Sequence, residues 1–139
     1  MRTSVRRFVM IAPAPAVAVL VVVGLPHAWQ PIHLVGLTLL LAGLALVTLA
    51  RWQLGDSFSI TPQATKLVTH GLYARIRNPI YVFGLVMFAG LVMYLDRPWF
   101  LLILILAAVM QVIRARREGH VLEEKFGDEY RAYRARTWF

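Results

Sequence analysis

Four apolar runs, each free of charged side chains, organise the pattern of hydrophobic and polar positions along the chain. They cover residues 8–25, 32–50, 80–95 and 98–113. A membrane-spanning helix needs about 20 apolar residues, because it rises about 1.5 Å per residue across roughly 30 Å of hydrocarbon. The pattern therefore predicts an all-α integral membrane bundle of four transmembrane helices, in which Asp96 and Arg97 connect the last two as a hairpin.

Basic residues flank these runs almost entirely on one implied side of the membrane. Of the 15 Lys and Arg residues, only Arg97 lies outside three groups, which occupy the amino terminus, the central loop and the carboxyl-terminal tail. Because short cytoplasmic loops retain positive charge, both termini and the central loop are predicted to face the cytoplasm. The net charge of +8 is then explained by basic residues beside the membrane spans, where they can contact anionic lipid head groups. Nucleic acid is therefore disfavoured as a partner.

Composition narrows the classes of function further. The chain contains no cysteine, which excludes disulfides, thiolate catalysis and thiolate metal sites, and no His and Asp spacing predicts another metal site. The basic segment 1–7 and the sequence Ala12-Pro13-Ala14 resemble a signal peptide, but only residues 8–11 would form its apolar core. We therefore interpret the first run as an uncleaved span, with its regular helix confined to the later part by the prolines.

Side chains able to do chemistry are concentrated in the second half of the chain. We predict one membrane domain, 1–139, in which residues 1–50 form two spans and residues 51–139 form the core that carries function. The central loop, 51–79, alternates polar and apolar residues and is predicted to be irregular or extended chain rather than helix. Its end, from His70 to Pro79, should form a turn whose open backbone N–H groups can bind anionic or carbonyl groups.

The fourth span is predicted to continue beyond the membrane as a helix to about Lys125. Side chains four residues apart share one face of that continuation, namely Arg114, Glu118, Leu122 and Phe126. After Gly127, Asp128 can cap a last short helix. One face of that helix carries Tyr130, Tyr133 and Thr137.

Two motifs in the second half carry a family resemblance. They are LVTHGLYARIRNPIY at 67–81 and REGHVLEEKFGDEYRAYRARTWF at 117–139, separated by the hydrophobic hairpin. With these motifs, residues from about 57 to 139 resemble the isoprenylcysteine carboxyl methyltransferase and phospholipid methyltransferase family. The resemblance implies an integral membrane enzyme that uses S-adenosylmethionine, with a cofactor site built from both motifs at the cytoplasmic ends of the spans.

The chain departs from the family pattern at three positions. The family's Arg-His-Pro-x-Tyr-x-Gly motif falls on residues 77–83, with Asn78 in place of His and Phe83 in place of Gly. In the second motif Glu118 matches the first of two paired glutamates, whereas Gly119 replaces the second. One acidic anchor for the cofactor therefore remains.

The chemistry of the cofactor indicates roles for individual residues. Glu118 can pair with the cofactor's ammonium or ribose hydroxyls, while Arg77, Asn78 and the backbone near Pro79 can bind its carboxylate or adenine. The predicted cofactor-binding residues are His70, Gly71, Tyr73, Arg77, Asn78, Pro79, Tyr81, Glu118 and Leu122. His120 is a further residue that can pack on the cofactor. Methyl transfer requires orientation rather than a dedicated nucleophile, so Arg75 and Arg77 are candidates only for orienting an anionic acceptor.

Several alternatives stay open at this point. The acceptor can be an isoprenoid carboxylate, a phospholipid amine or another amphiphile, and the oligomeric state is undetermined. The chain can instead be a membrane reductase of sterol or isoprenoid type that uses NADPH, or a non-catalytic lipid-binding scaffold, which the changes at Phe83 and Gly119 favour. Simpler roles also exist for single residues: Arg75 and Arg77 as determinants of topology, Glu118 as the ionic partner of a neighbouring arginine, and the tyrosine pair as a helix-docking stripe.

Overall fold

The computed structural model describes residues 13–55 and 67–139. These residues form four α-helices and one short 3-10 helix at Gly71–Ala74. The α-helices are α1 (Pro13–Val23), α2 (Pro31–Leu54), α3 (Pro79–Leu95) and α4 (Phe100–Arg136). The described part contains no β-strand, only an isolated parallel bridge between Ile76 and Trp138, so the predicted all-α class is confirmed.

Only α2, among the described helices, is long and apolar enough to cross a membrane. Helix α1 has 11 residues and α3 has 17, and the apolar part of α4 ends where its arginines begin at Arg114. One of the four predicted spans therefore meets the requirement by length and composition, and the other three are not confirmed. The start of the first predicted run, 8–12, and the amino-terminal arginines lie outside the described residues.

Proline and polar caps define the starts and ends of the central helices. Helix α2 begins at Pro31 behind a capping box, in which Nδ1 of His33 accepts a hydrogen bond from the backbone N–H of Gln30 at 3.0 Å. Helix α3 begins with Pro79 in its first turn, where proline loses no helical hydrogen bond. It ends at Asp96, which adopts a left-handed conformation and donates its N–H to the Val92 carbonyl.

Glycines bring α2 and α3 into direct backbone contact. A Cβ atom on Gly90 would lie 2.3 Å from the backbone nitrogen of Leu40, and one on Gly43 would lie 2.6 Å from that of Met87. Because no real Cβ tolerates such distances, this seam requires glycine, as in close helix packing within membranes. The antiparallel arrangement places the carboxyl end of α2 beside the amino end of α3.

The structure corrects the predicted boundary of the central loop. Helix α2 continues through residues 51–54, where irregular chain was predicted, and ends at Leu54 with Gly55 as its carboxyl-terminal cap. This extra turn holds the segment ahead of α3, because Oε1 of Gln53 accepts a hydrogen bond from the backbone N–H of Leu72 at 2.7 Å. The alternating stretch 56–66, on which the prediction of extended chain was based, lies outside the described residues.

Helix α4 extends past its apolar part as predicted and breaks at Gly127. That glycine has φ 50° and ψ −119°, a conformation that glycine adopts without steric cost. Arg131 bridges the break by donating to Glu123 at 2.9 Å and to Asp128 at 3.0 Å. The hydrogen bond with Arg131 lowers the pKa of Glu123, so the bridge is ionic at neutral pH. Residues 128–136 can therefore return their tyrosines toward the start of α3.

Candidate active site

The two predicted motifs meet where α3 begins and α4 leaves its apolar part. The Tyr81 hydroxyl, in the first turn of α3, donates a hydrogen bond to the Glu118 carboxylate on α4. Nε of Arg114 lies 3.8 Å from the same carboxylate, and the Glu118 side chain keeps 28% of its surface exposed. The predicted acidic anchor is thus fixed at a helix junction while one side remains open to a ligand.

The carboxyl-terminal residues clamp the segment ahead of α3. The backbone N–H of Arg77 donates to the Trp138 carbonyl and that of Asn78 to the Phe139 carbonyl, both at 2.9 Å. In return, Trp138 donates its N–H to the Arg75 carbonyl at 2.8 Å. The prediction that backbone donors here are open is therefore wrong for Arg77 and Asn78, because the tail already pairs with them. These two N–H groups are therefore not available to a ligand.

The Asn78 and Arg77 side chains make few hydrogen bonds or ion pairs within the described part of the chain. Asn78 occupies the position before the first turn of α3, yet its side chain makes no capping hydrogen bond. Arg77 is half-buried, and no carboxylate among the described residues forms an ion pair with it. A guanidinium and an amide are thus placed beside the helix start, where both can hydrogen-bond a carboxylate or a heterocycle.

Two buried tyrosines connect Arg77 to the Glu118 region. Tyr130 and Tyr133 are almost fully buried, with only 2% and 3% of their surface exposed. Burial raises the pKa of Tyr130, and it raises the pKa of Tyr133 to about 12, while the positive charge of Arg77 opposes both shifts. The hydroxyl of Tyr130 also stands 3.0 Å from where a Cβ on Gly119 would be. Tyr130 therefore lies between Arg77 and the stretch of α4 that carries Glu118 and Gly119.

This contact supplies a physical reason for the glycine at position 119. A glutamate there, as the family pattern has it, would place its Cβ against the hydroxyl of a tyrosine that is nearly fully buried. The side chain of Tyr130 occupies the space instead. Glycine at position 119, in place of the family's glutamate, therefore leaves room for the terminal helix to dock with Tyr130 against α4.

Tyr73 lies in the core rather than on an open surface. It packs with Ala50 and Val68, and its backbone carbonyl accepts a hydrogen bond from the Tyr133 hydroxyl at 2.8 Å. Burial is the main cause that raises the pKa of the Tyr73 phenol above its ordinary value. The position of Tyr73 favours a role in fixing the terminal helix to the segment ahead of α3.

Some of the other predicted residues are packed against neighbouring helices, and the rest are exposed on the surface. Gly71 has φ 61°, and a Cβ there would lie 2.4 Å from Oε1 of Gln53, so it is required for the close approach of α2. Pro79 is fully buried, and Leu122 is half-buried on the same helix face as Glu118. Three predicted residues are exposed, and no contact in the described structure joins them to Glu118, namely His70, Arg75 and His120.

Sequence reasoning missed two supports of the site. Gln53 fell in the predicted loop, and its hydrogen bond to Leu72 spans 19 positions that no local pattern connects. Trp138 and Phe139 support the site through their backbone, which every residue type possesses, so their side chains gave no signal of this role. The described residues contain no cluster of His, Cys, Asp and Glu that could hold a metal ion.

Comparison with known proteins adds one finding to this geometry. The model of the phospholipid methyltransferase family matches residues 31–129. The match begins at α2, well before the two motifs, and ends ahead of the terminal tyrosines and the tail that clamps the site. No curated protein and no solved structure matches the chain.

Proposed function

Since the chain belongs to the phospholipid methyltransferase family, and is on that ground a membrane methyltransferase that acts on lipids, we propose that it takes the methyl group from S-adenosylmethionine at the Tyr81–Glu118 junction. The observation that carries this proposal is the hydrogen bond by which Tyr81 fixes the Glu118 carboxylate between the two motifs. A fixed carboxylate with an open side is suited to ribose hydroxyls or an ammonium group.

The residues present fit the remaining groups of this cofactor. The Arg77 guanidinium can bind its carboxylate, and the Asn78 amide can hydrogen-bond the carboxylate or the adenine. When bound, the cofactor supplies an electrophilic methyl group on a sulfonium. The chain's own part is to bind and orient, and to exclude water from the junction, because charge is lost as the methyl leaves and a dry pocket favours that loss.

We propose that four helices cross or enter the membrane and that the site lies at its cytoplasmic face. The end of the bundle that carries the site also carries most of the described basic residues near the helix ends, namely Arg51, Arg75, Arg77, Arg114, Arg116 and Arg117. Arg97 lies at the opposite end, in the turn between α3 and α4. Positive charge on one side supports this orientation.

The acceptor is proposed to be a lipophilic molecule that enters sideways from the bilayer. The apolar part of α4 presents exposed side chains that suit contact with lipid, among them Leu102, Ile105 and Leu106. The cofactor would approach from the aqueous side, where Glu118 is open. This division explains why a methyltransferase is placed in a membrane.

Binding of radiolabelled S-adenosylmethionine to purified protein in detergent tests the proposal. We expect wild type to bind, Glu118→Ala to lose at least tenfold in affinity, and the matched control Glu124→Ala, an exposed glutamate on the same helix, to stay within twofold. Equal binding by wild type and Glu118→Ala would contradict the placement of the site. Calorimetry with NADPH completes the test, since binding of NADPH in place of S-adenosylhomocysteine would favour the reductase, and binding of neither would favour a scaffold.

A further inference from the structure

Gln111 is a polar side chain within the apolar part of α4. The run 98–113 contains no charged residue, and Gln111 lies near its inner end. Its side-chain oxygen Oε1 is buried and has no hydrogen-bond partner among residues 13–55 and 67–139. An unpaired amide oxygen in an apolar setting costs free energy, so its retention at this depth points to a use.

The position of Gln111 relates it directly to the proposed site. It shares a helix face with Ala115 and Glu118 and lies seven residues, or about 10 Å along the axis, toward the bilayer interior. Across the helix junction stands Gly84, one turn deeper in α3 than Tyr81. A Cβ on Gly84 would lie 3.5 Å from Nε2 of Gln111 and 3.8 Å from Oε1.

The Tyr81–Glu118 pair and the Gly84–Gln111 pair are therefore two levels of the same seam. The Tyr81–Glu118 pair holds the partly exposed Glu118 carboxylate near the aqueous surface. The Gly84–Gln111 pair, about 10 Å deeper, holds the unpaired Oε1 of Gln111. Because Gly84 carries no side chain, the gap beside the amide group is about the size of one methyl group, and a bound acceptor group would have to widen it by a small shift of the Gln111 side chain. On the proposed function, a lipid head group that reaches the cofactor between α3 and α4 passes the Gly84–Gln111 pair.

We propose, on the basis of the proposed function, that Gln111 is a substrate-positioning residue for methyl transfer. Its Oε1 accepts a hydrogen bond from an N–H or O–H group of the acceptor and so holds the head group below the cofactor. The unpaired atom is an acceptor, which favours a substrate that carries a hydrogen-bond donor over one that carries only a carboxylate. The residue orients the acceptor and takes no part in bond making.

The test measures methyl transfer from tritiated S-adenosylmethionine to a total lipid extract of the expression membrane, with the protein reconstituted in vesicles of increasing extract content. Gln111→Met keeps the length and flexibility of the side chain but removes the acceptor. We expect the apparent KM for the lipid extract to rise at least tenfold, while cofactor affinity and melting temperature remain those of wild type. Gln111→Glu retains an acceptor oxygen and should restore most of the loss, whereas Gly84→Ala should raise KM by narrowing the space.

The outcomes separate this inference from the proposed function. If wild type binds no S-adenosylmethionine, the proposed function fails. If wild type binds the cofactor but Gln111→Met leaves the KM unchanged, or lowers cofactor affinity and melting temperature together, then Gln111 is a packing residue and the inference alone fails. Cofactor binding without transfer to any lipid of the extract also overturns it.

Discussion

The Tyr81 hydroxyl and the Glu118 carboxylate, 37 positions apart in the sequence, are joined by a hydrogen bond between the first turn of α3 and the inner extension of α4. The bond unites the two motifs that carried the family resemblance. It also fixes the direction in which the carboxylate presents its open side. Cofactor affinity should therefore depend on a hydroxyl that need not touch the cofactor.

Replacement of Tyr81 by Phe tests this dependence. The ring and its packing stay, while Glu118 loses its donor and its fixed orientation. A hydrogen bond to a charged group contributes about 1.5–3 kcal/mol, so S-adenosylmethionine should bind about tenfold more weakly or worse in a radioligand assay. Tyr94→Phe is the control, because it removes a hydroxyl that donates to the Val21 carbonyl at the other end of α3. Cofactor affinity should be unchanged in that variant.

Arg77 and Arg75 form a second matched pair. Arg77 is half-buried beside the terminal tyrosines, whereas Arg75 is exposed. Arg77→Ala should weaken cofactor binding about tenfold, the loss expected when a charged hydrogen bond to a carboxylate is removed. Arg75→Ala should stay within twofold by the same titration. A similar loss in both variants would indicate that general positive charge, rather than a specific contact, attracts the cofactor.

The helices were predictable because their signals are local. Charge-free runs, the proline at the start of α3 and the glycine at 127 each act on neighbouring residues, so sequence order was enough to place them. The end of α2 was not predictable in this way. Arg51 and Gln53 are polar and indicated a loop, yet the helix continues through both, and the Gln53 side chain pairs with Leu72, which is distant in sequence.

The candidate site was predictable only in its side chains. Glu118, Tyr81 and Arg77 were identified by residue type and motif, and the structure brings them into one region. The sequence could not show which backbone N–H groups stay unpaired. The tail pairs with Arg77 and Asn78 through main-chain atoms, and these are the same in every residue type. The backbone donors of Arg77 and Asn78 are paired with the tail, so the proposed anion site relies on the side chains of these two residues instead.

The glycine seam between α2 and α3 should be intolerant of a single added methyl group. In Gly43→Ala the new Cβ would meet the Met87 backbone at 2.6 Å, and backbone cannot move aside as a side chain can. Overpacking of this kind costs about 1–3 kcal/mol, so the melting temperature in detergent should fall by several degrees. Ala42→Val adds more volume on the neighbouring exposed face and should leave the melting temperature nearly unchanged.

The backbone hydrogen bonds of the tail clamp can be tested apart from the indole ring of Trp138, because two substitutions both remove the ring and only one of them removes the N–H. Trp138→Pro removes the N–H that donates to the Arg75 carbonyl, whereas Trp138→Ala removes the exposed ring and keeps the N–H. Only the proline variant should lose hydrogen-exchange protection at Arg77 and Asn78 and bind the cofactor more weakly. Equal effects from both variants would assign the role to the indole ring instead.

The buried Tyr133 hydroxyl should link stability to alkaline pH. Burial is the main cause that raises its pKa to about 12, above the value of about 10 for an unfolded chain. A group whose pKa is raised by folding stabilises the fold below its unfolded pKa, and that contribution is lost as the pH rises through the folded pKa. The relevant window is therefore pH 10 to 12.

Tyr133→Phe isolates this contribution, because all other tyrosines ionise equally in both proteins. The variant removes the hydrogen bond to the Tyr73 carbonyl and should be less stable than wild type at neutral pH by about 1–2 kcal/mol. Thermal unfolding in detergent from pH 8 to pH 12 should show the difference constant up to about pH 10 and then shrinking, because the Tyr133 phenol ionises in the unfolded wild-type chain while it stays protonated in the folded one. A difference that stays constant to pH 12 would mean that the Tyr133 hydroxyl is open to solvent and does not dock the terminal helix on the segment that carries Arg77.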